Sequence, residues 1–229
     1  MAARIYADYL TQNDFIDFFR PRNILSTKRL MEVLSHGETA LNVGAVSNAP
    51  TDLRFPLIHF PSATEVVFSS REHQGDIMKL IEASATVPAL SNEKVIINGE
   101  KYIDGAVVDP IPIRSAVRLG CTDIVVILTR SRKFRRRPRK FVYDVLSLTY
   151  FRDWPKESRD SLFWKFSQVN EIYDFLWSIE GDNGKYRVMI IAPNDDGLAG
   201  ILWKRKRDIE LNLRLGCEDA TQVLKFSGA

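Results

Sequence analysis

The sequence predicts a three-layer α/β/α fold in a single domain that spans residues 1–229. The chain is 45% hydrophobic, which suffices for one large core. Helical and extended patterns alternate along it, as in folds where helices cover a sheet. The stretch "DIVVILT" at 123–129 is apolar on both faces, which indicates a parallel strand buried between two layers of helices. Neither an internal repeat nor a long linker divides the chain.

The first elements predicted are two helices, at 11–20 and 27–35. The second begins at a polar residue suited to capping, either Ser26 or Thr27. Its inward face is expected to carry the apolar residues at helical spacing, which are Leu30, Met31 and Leu34.

Two strands and a helix are predicted next. "ALNVGAVSN" at 40–48 is expected to be a strand and "DLRFPLIHF" at 52–60 its neighbour, with Pro56 placing the latter at a sheet edge or a bulge. The following helix is expected to begin at Asp76 and to end before Pro88. Its apolar stripe would be Ile77, Leu80 and Ile81.

A hairpin is predicted at Asn98-Gly99, the strongest short turn signal in the chain. Its second strand, 101–103, delivers Asp104 at its end. Further elements are expected in this order: a helix from Pro112 to Leu119 that Gly120 ends, the strand at 123–129, helices at 139–150 and 156–180, a buried strand at 186–193, and closing helices broken at Gly216.

Composition excludes several classes of protein. No apolar run approaches the roughly 20 residues that span a bilayer, and the N-terminus lacks the apolar core of a signal peptide, so a cytoplasmic protein, either soluble or peripheral to a membrane, is expected. Cys121 and Cys217 each follow a glycine at a predicted helix end, a position typical of small buried thiols. His36, His59 and His73 are expected in loops or turns, without metal-ligand spacing, and no metal or cofactor is expected.

Several ordered blocks resemble one protein family. They are "IEASATVPAL", "INGEKYIDGAVVDPIPIRSAVRLGCTDIVVILTR", "IIAP" and "RLGCEDA". Together they resemble the C-terminal two-thirds of a patatin-like phospholipase of a bacterial branch, from about residue 40 to about residue 224, with a weaker fit before that. The best marker is Asp104-Gly105-Ala106, which is similar to the family's Asp-Gly-Gly or Asp-Gly-Ala motif.

The resemblance implies a serine lipid acyl hydrolase with a Ser-Asp dyad and no histidine. Asp104 matches the position of the base, which takes the serine proton and later activates water. The residues alone leave two interpretations open for Asp104: a base poised at a strand end, beside a glycine that permits positive φ and a close neighbour, or an ordinary turn-capping aspartate.

Two family motifs do not occur in the sequence. These are the glycine-rich oxyanion loop, G-x-G-x-x-[RK]-G, and the G-x-S-x-G elbow that holds the nucleophile. No serine has glycines two residues to either side, and Ser84 resembles a structural position. We therefore expect an N-terminally truncated patatin-like fold with exposed apolar faces and no activity as an isolated chain. A separate N-terminal polypeptide that completes it, or a pseudoenzyme that binds lipid or a partner, are the alternatives.

The segment 130–140, here called the basic segment, concentrates positive charge in a chain of net charge +3. Three interpretations stay open: a solvated loop, a surface for anionic phospholipid headgroups, or a phosphate contact with nucleic acid. No nucleic-acid motif accompanies it, so nucleic acid is not the expected partner. The lipid-surface candidates are Arg132, Lys133, Arg135, Arg136 and Arg137.

An aromatic stripe follows the basic segment, and it has two interpretations, an acyl-binding groove or a buried packing face. Its members are Phe151, Trp154, Phe163, Trp164, Phe166, Tyr173, Phe175 and Trp177. The expected substrate is a phospholipid or another acyl ester, and peripheral membrane contact is expected.

Overall fold

A computed structural model describes residues 5–9, 11–20, 23–88, 90–91, 93–137, 140–194 and 205–226. The described strands are β1 Arg54–Phe60, β2 Thr64–Ser69, β3 Val95–Ile97, β4 Glu100–Asp104, β5 Asp123–Ile127, β6 Gly181–Asp182 and β7 Arg187–Ile191. The described α-helices are α1 Thr27–Ser35, α2 Val43–Ser47, α3 Ile77–Ala85, α4 Ile113–Arg118, α5 Lys140–Leu148, α6 Lys156–Ser167, α7 Val169–Ser178 and α8 Lys206–Phe226. The α/β class predicted from the sequence is confirmed.

The chain folds into two compact units. One comprises residues 12–110 and 138–169, and the other comprises residues 1–11, 111–137 and 170–229. We call them the Asp104 unit and the β5 unit. The single domain over 1–229 stays a prediction.

The Asp104 unit contains a four-stranded antiparallel sheet in the order β2-β1-β4-β3. Successive residues of a strand point to opposite faces, so Leu57 and Ile58 of β1 enter different clusters. Leu57 packs with Leu80 of α3, whereas Ile58 packs with Trp154 and Leu162 on the other side. This unit therefore has the predicted layering of helix, sheet and helix, although its sheet is antiparallel.

The β5 unit contains a three-stranded sheet in the order β5-β7-β6, in which β5 and β7 run parallel. The predicted parallel pairing of the strand at 123–129 is thus confirmed. Its predicted burial on both faces is wrong, because exposed and buried residues alternate along β5. Val125 and Ile127 are 59% and 73% exposed, and Val126 between them is buried.

The hairpin that ends at Asp104 was predicted correctly. Asn98 and Gly99 take φ values of 52° and 83°, so both lie in the left-handed region that a tight two-residue turn requires. The turn pairs Ile97 with Glu100. The register then carries β4 to Asp104, its last residue.

Several predicted elements differ in the structure. Residues 11–20 form turns held by the Arg20–Asp17 ion pair, 3.0 Å long, rather than a helix. Residues 43–47 form the short helix α2 instead of a strand, because the Asn42 side chain accepts a hydrogen bond from the N–H of Ala45 and caps it. The long helix predicted at 156–180 is interrupted at Gln168.

Ser26, predicted as a capping residue, does cap α1 by accepting a hydrogen bond from the N–H of Arg29 at 3.2 Å. On that helix, Val33 is buried, whereas the predicted inward residues are only half-buried. At the other end of the chain, α8 runs through Gly216 without the predicted break. None of the described helices is both long enough and apolar enough to cross a bilayer.

Pro56 lies in an interior strand, not an edge strand, since β1 pairs with both β2 and β4. The pairing with β4 begins only at Leu57, which faces Asp104. Pro56 therefore lies beyond the end of β4. Because no residue of β4 faces it, the N–H that proline lacks is not needed for the pairing with β4.

Candidate active site around Asp104

Asp104 is positioned by three elements of the Asp104 unit. It ends β4, it pairs with Leu57 of β1, and its backbone N–H donates to the carbonyl oxygen of Thr86 at 3.2 Å. Thr86 is the residue that follows α3. No role for Thr86 was predicted from the sequence, although its place directly after the small-residue helix end could have suggested one.

The Asp104 carboxyl group is half-buried and accepts one hydrogen bond, from the N–H of Ala106 at 2.9 Å. Burial raises the pKa of Asp104 to about 6, and the hydrogen bond from Ala106 opposes that rise. No cation among the described residues pairs with it. The group is thus mostly ionised at neutral pH and more basic than an exposed aspartate, which suits a general base.

The hydrogen bond from Ala106 also makes Asp104 the cap of the 3₁₀ turn Gly105–Val107. Asp104 therefore does cap a turn, as one of the two interpretations of the sequence expected. This cap does not exclude the role of a base, because the capping bond stabilises the charged form while burial outweighs it. Burial and the hydrogen bond from Ala106 thus act in opposite directions on the pKa of the same carboxyl group.

Gly105 is required because the backbone of β1 passes very close to it. A Cβ at this position would lie 2.3 Å from the carbonyl oxygen of Pro56 and 2.7 Å from its carbonyl carbon. The predicted close neighbour is confirmed. The predicted positive φ is wrong, since Gly105 is not among the residues in the left-handed region. Ala106 is exposed and contributes through its N–H.

No serine among the described residues hydrogen-bonds to the Asp104 carboxylate. Ser84 is half-buried on α3, two residues before Thr86. In the described part of the chain, the Asp104 carboxylate therefore has a raised pKa and no serine hydroxyl as a hydrogen-bond partner.

Part of the aromatic stripe forms the core of the Asp104 unit. Phe151 and Trp154 are 3% exposed, and the ring of Trp154 meets that of Phe60 edge-on at 4.8 Å between centroids. Phe163 stacks on Tyr143 at 4.0 Å. Trp164, by contrast, is 63% exposed. For the buried members the structure favours packing over an acyl groove.

The basic segment is partly neutralised within the β5 unit. The Arg132 guanidinium donates two hydrogen bonds to the Glu180 carboxylate, one of them 2.7 Å long, and lies 5.2 Å above the Trp177 ring. The Glu180 carboxylate holds the pKa of Arg132 above its ordinary value. Arg135 pairs with Asp174 at 3.4 Å.

The backbone of the basic segment is also held. Arg136 donates its N–H to Oδ1 of Asn170 at 2.9 Å, and its carbonyl accepts from Nδ2 of Asn170 at 2.9 Å. Burial lowers the pKa of Arg136. Lys133 and Arg137 are exposed and have no ion pair within the described residues. The five lipid-surface candidates are thus not equivalent, and Arg139 lies outside the described residues.

Some predictions for cysteine and histidine are wrong. Cys121 and Cys217 are both exposed, and Cys217 lies within α8 rather than at a helix end. His59 lies on β1, not in a loop, where it bonds Glu100 at 3.0 Å and Ser62 at 2.6 Å. Among the described residues, no group of three or more His, Cys, Asp or Glu side chains is placed to hold a metal ion.

Residues 5–117 match the family model described as Patatin-like phospholipase. This segment contains the four-stranded antiparallel sheet and Asp104-Gly105-Ala106, and over it the chain is similar to the patatin-like phospholipase family. The match begins earlier than the blocks quoted above and ends before β5. No curated protein matches the chain.

Proposed function

We propose that this chain carries the base of a lipid acyl ester hydrolase, and that Asp104 is that base. The observation that carries the proposal is a half-buried carboxyl group at a strand end, with its pKa raised to about 6, within the segment that matches a family acting on lipids. A base with a pKa near the working pH is the most effective in proton transfer.

In this mechanism Asp104 takes the proton of a serine hydroxyl as its oxygen attacks the ester carbonyl. The proton passes to the leaving alcohol, and an acyl-serine remains. Asp104 then takes a proton from water, the resulting hydroxide attacks the acyl carbonyl, and the serine leaves with the proton as the free acid forms. Asp104 begins and ends the cycle ionised.

The serine is the missing component. The sequence contains no G-x-S-x-G, and the described serines leave the Asp104 carboxylate without a hydroxyl partner. We propose that residues 1–229 are inactive by themselves, because the nucleophile would have to come from outside this sequence, either from an upstream segment or from a second polypeptide. Loss of a nucleophilic serine lowers kcat by about a millionfold.

The test compares the purified chain with Asp104→Asn and, as a control for the same charge change at the surface, Asp153→Asn. Hydrolysis of p-nitrophenyl butyrate and of phosphatidylcholine is measured, together with covalent labelling by a fluorophosphonate. We expect neither turnover nor labelling. Turnover lost only in Asp104→Asn would support the base and contradict the missing nucleophile, whereas turnover that survives Asp104→Asn would contradict the role of Asp104.

A second candidate function is a pseudoenzyme that binds anionic lipid or a partner through the basic segment. Its support is that Lys133 and Arg137 are exposed and unpaired within the described residues, and so are available to headgroup phosphates. A protein peripheral to the cytoplasmic face of a membrane fits this function. It predicts retention on anionic vesicles that falls in Lys133→Ala/Arg137→Ala, with no ester hydrolysis.

A further inference from the structure

Helix α5 carries an apolar face that points outward. Phe141 and Leu148 are 77% and 75% exposed, and Val145 is 42% exposed. Their spacing of four and three residues places them on one side of the helix. A surface helix of a soluble protein normally carries polar residues on that side.

The opposite side of α5 is anchored in the Asp104 unit. Leu146 packs against the cluster that contains Ile58 and Trp154. Tyr143 stacks on Phe163 of α6, and its hydroxyl donates to Asp160 at 3.4 Å. The outward face is therefore held in a fixed direction, and packing within the Asp104 unit does not account for its apolar residues.

Charged groups flank this face. Lys140 opens the helix, directly after the arginine-rich part of the basic segment in the sequence. A hollow of about 360 Å³ at Leu148 is lined by the cations Lys156 and Arg159 and by Asp144 and Asp160. Arg159 donates to the carbonyl oxygen of Ser147 at 3.2 Å, which keeps its guanidinium at the rim.

Trp164 of α6, which follows the Phe163 that contacts Tyr143 of α5, is also exposed. An indole ring, apolar with one N–H donor, is favoured at the boundary between headgroups and acyl chains. Helices that lie in a membrane interface combine an apolar face with basic residues on the polar side, and in α5 the basic residue is Lys140.

We propose that the face formed by Phe141, Val145 and Leu148 docks this protein on an anionic lipid bilayer, with these side chains among the acyl chains. Lys140 at the start of α5 and the exposed Lys156 beside Leu148 favour an anionic surface over a second copy of the chain, whose net charge is also positive. The proposal rests on the proposed function only for lipid as the partner class, and it does not depend on Asp104.

The test is co-sedimentation with sucrose-loaded vesicles of phosphatidylcholine, with and without phosphatidylglycerol. The variant is Phe141→Ser/Leu148→Ser. The control is Ile96→Ser/Leu119→Ser, which removes two apolar side chains that are each 54% exposed on other elements. We expect the wild type and the control to bind anionic vesicles, and the variant to bind about tenfold or more weakly, since transferring two large side chains is worth at least that factor.

A spectroscopic comparison separates docking from a general loss of structure. We expect a shift of tryptophan emission to shorter wavelength when anionic vesicles are added, and a much smaller shift in Trp164→Phe. Circular dichroism of Phe141→Ser/Leu148→Ser should match the wild type, because the substituted side chains are exposed.

Three results would overturn the proposal. Equal vesicle binding by the wild type and Phe141→Ser/Leu148→Ser would show that α5 is not the docking element, and an equal loss in the control would show unspecific hydrophobic adsorption. A change of oligomeric state in sedimentation velocity with vesicle binding unchanged would assign the face to a second copy. None of these results bears on the proposed role of Asp104 as the base. A failure of that role would appear in the ester hydrolysis and fluorophosphonate assays instead.

Discussion

At the scale of single residues, Asp104 and Gly105 depend on contacts that are far apart in sequence. The pKa of Asp104 reflects how β1 and the end of α3 surround its carboxyl group. Gly105 is fixed by the carbonyl of Pro56, 49 positions earlier in the chain. The sequence suggested both residues, but it attributed Gly105 in part to a positive φ, because local patterns reveal turns more readily than close approaches between distant segments.

The raised pKa of Asp104 predicts how stability depends on pH. Between the ordinary pKa of 3.8 and the folded value of about 6, the folded chain holds the proton more tightly than the unfolded chain. Stability therefore falls as pH rises through this window, by at most about 3 kcal/mol at 1.36 kcal/mol per unit. We expect Asp104→Asn to raise the free energy of unfolding at pH 7, measured by urea denaturation, and to leave it nearly unchanged below the window.

Asp153→Asn provides the comparison, because it makes the same substitution at a carboxylate that is 70% exposed. A lower free energy of unfolding for Asp104→Asn at pH 7 would mean that the capping bond to Ala106 outweighs the burial of the charge. Asp104 would then be a structural residue first.

At the scale of elements, the sequence predicted most helices and strands where the local pattern was strong. It missed elements whose local pattern was weak or misleading. The Asn98-Gly99 turn and α3 were predicted close to their observed bounds. α2 was missed because its valines favour strands, while the deciding contact is a single cap from Asn42. β2 was not predicted at all, although "TEVVFS" has the composition of a strand.

Gly216 gives a prediction for α8. It lies within the helix Lys206–Phe226, it is exposed, and a Cβ added there would meet nothing within 4 Å. Gly216→Ala removes backbone freedom from the unfolded chain without creating a clash. We expect the free energy of unfolding to rise by about 0.5–1 kcal/mol, measured by chemical denaturation monitored by circular dichroism.

Gly105→Ala is the matched comparison, because the same substitution there places a methyl group against the carbonyl of Pro56 and should destabilise the fold. If Gly216→Ala left stability unchanged or lowered it, the helix would not be continuous in solution, and the break predicted from the sequence would be correct.

At the scale of the whole molecule, the sequence predicted the α/β class and the motif, but not the division of strands between two sheets. Alternating and continuous apolar patterns reveal which residues form strands, yet they do not say which strands pair. Much of the candidate site could be predicted from the sequence because Asp104, Gly105 and Ala106 are consecutive residues. The α5 face was not recognised, because exposure depends on which side of a helix packs against the rest of the unit.

The outward side of β5 yields the last prediction. β5 ends its sheet, with β7 as its strand partner among the described residues, and Ile127 on it is 73% exposed. An apolar strand with an open edge favours association between chains, and lysine is a common guard against it. We expect Ile127→Lys to reduce light scattering on heating, with the free energy of unfolding within about 0.5 kcal/mol of the wild type. Val126→Lys, one residue earlier at a buried position, should instead unfold the chain, and equal scattering from Ile127→Lys and the wild type would show that association proceeds through another surface.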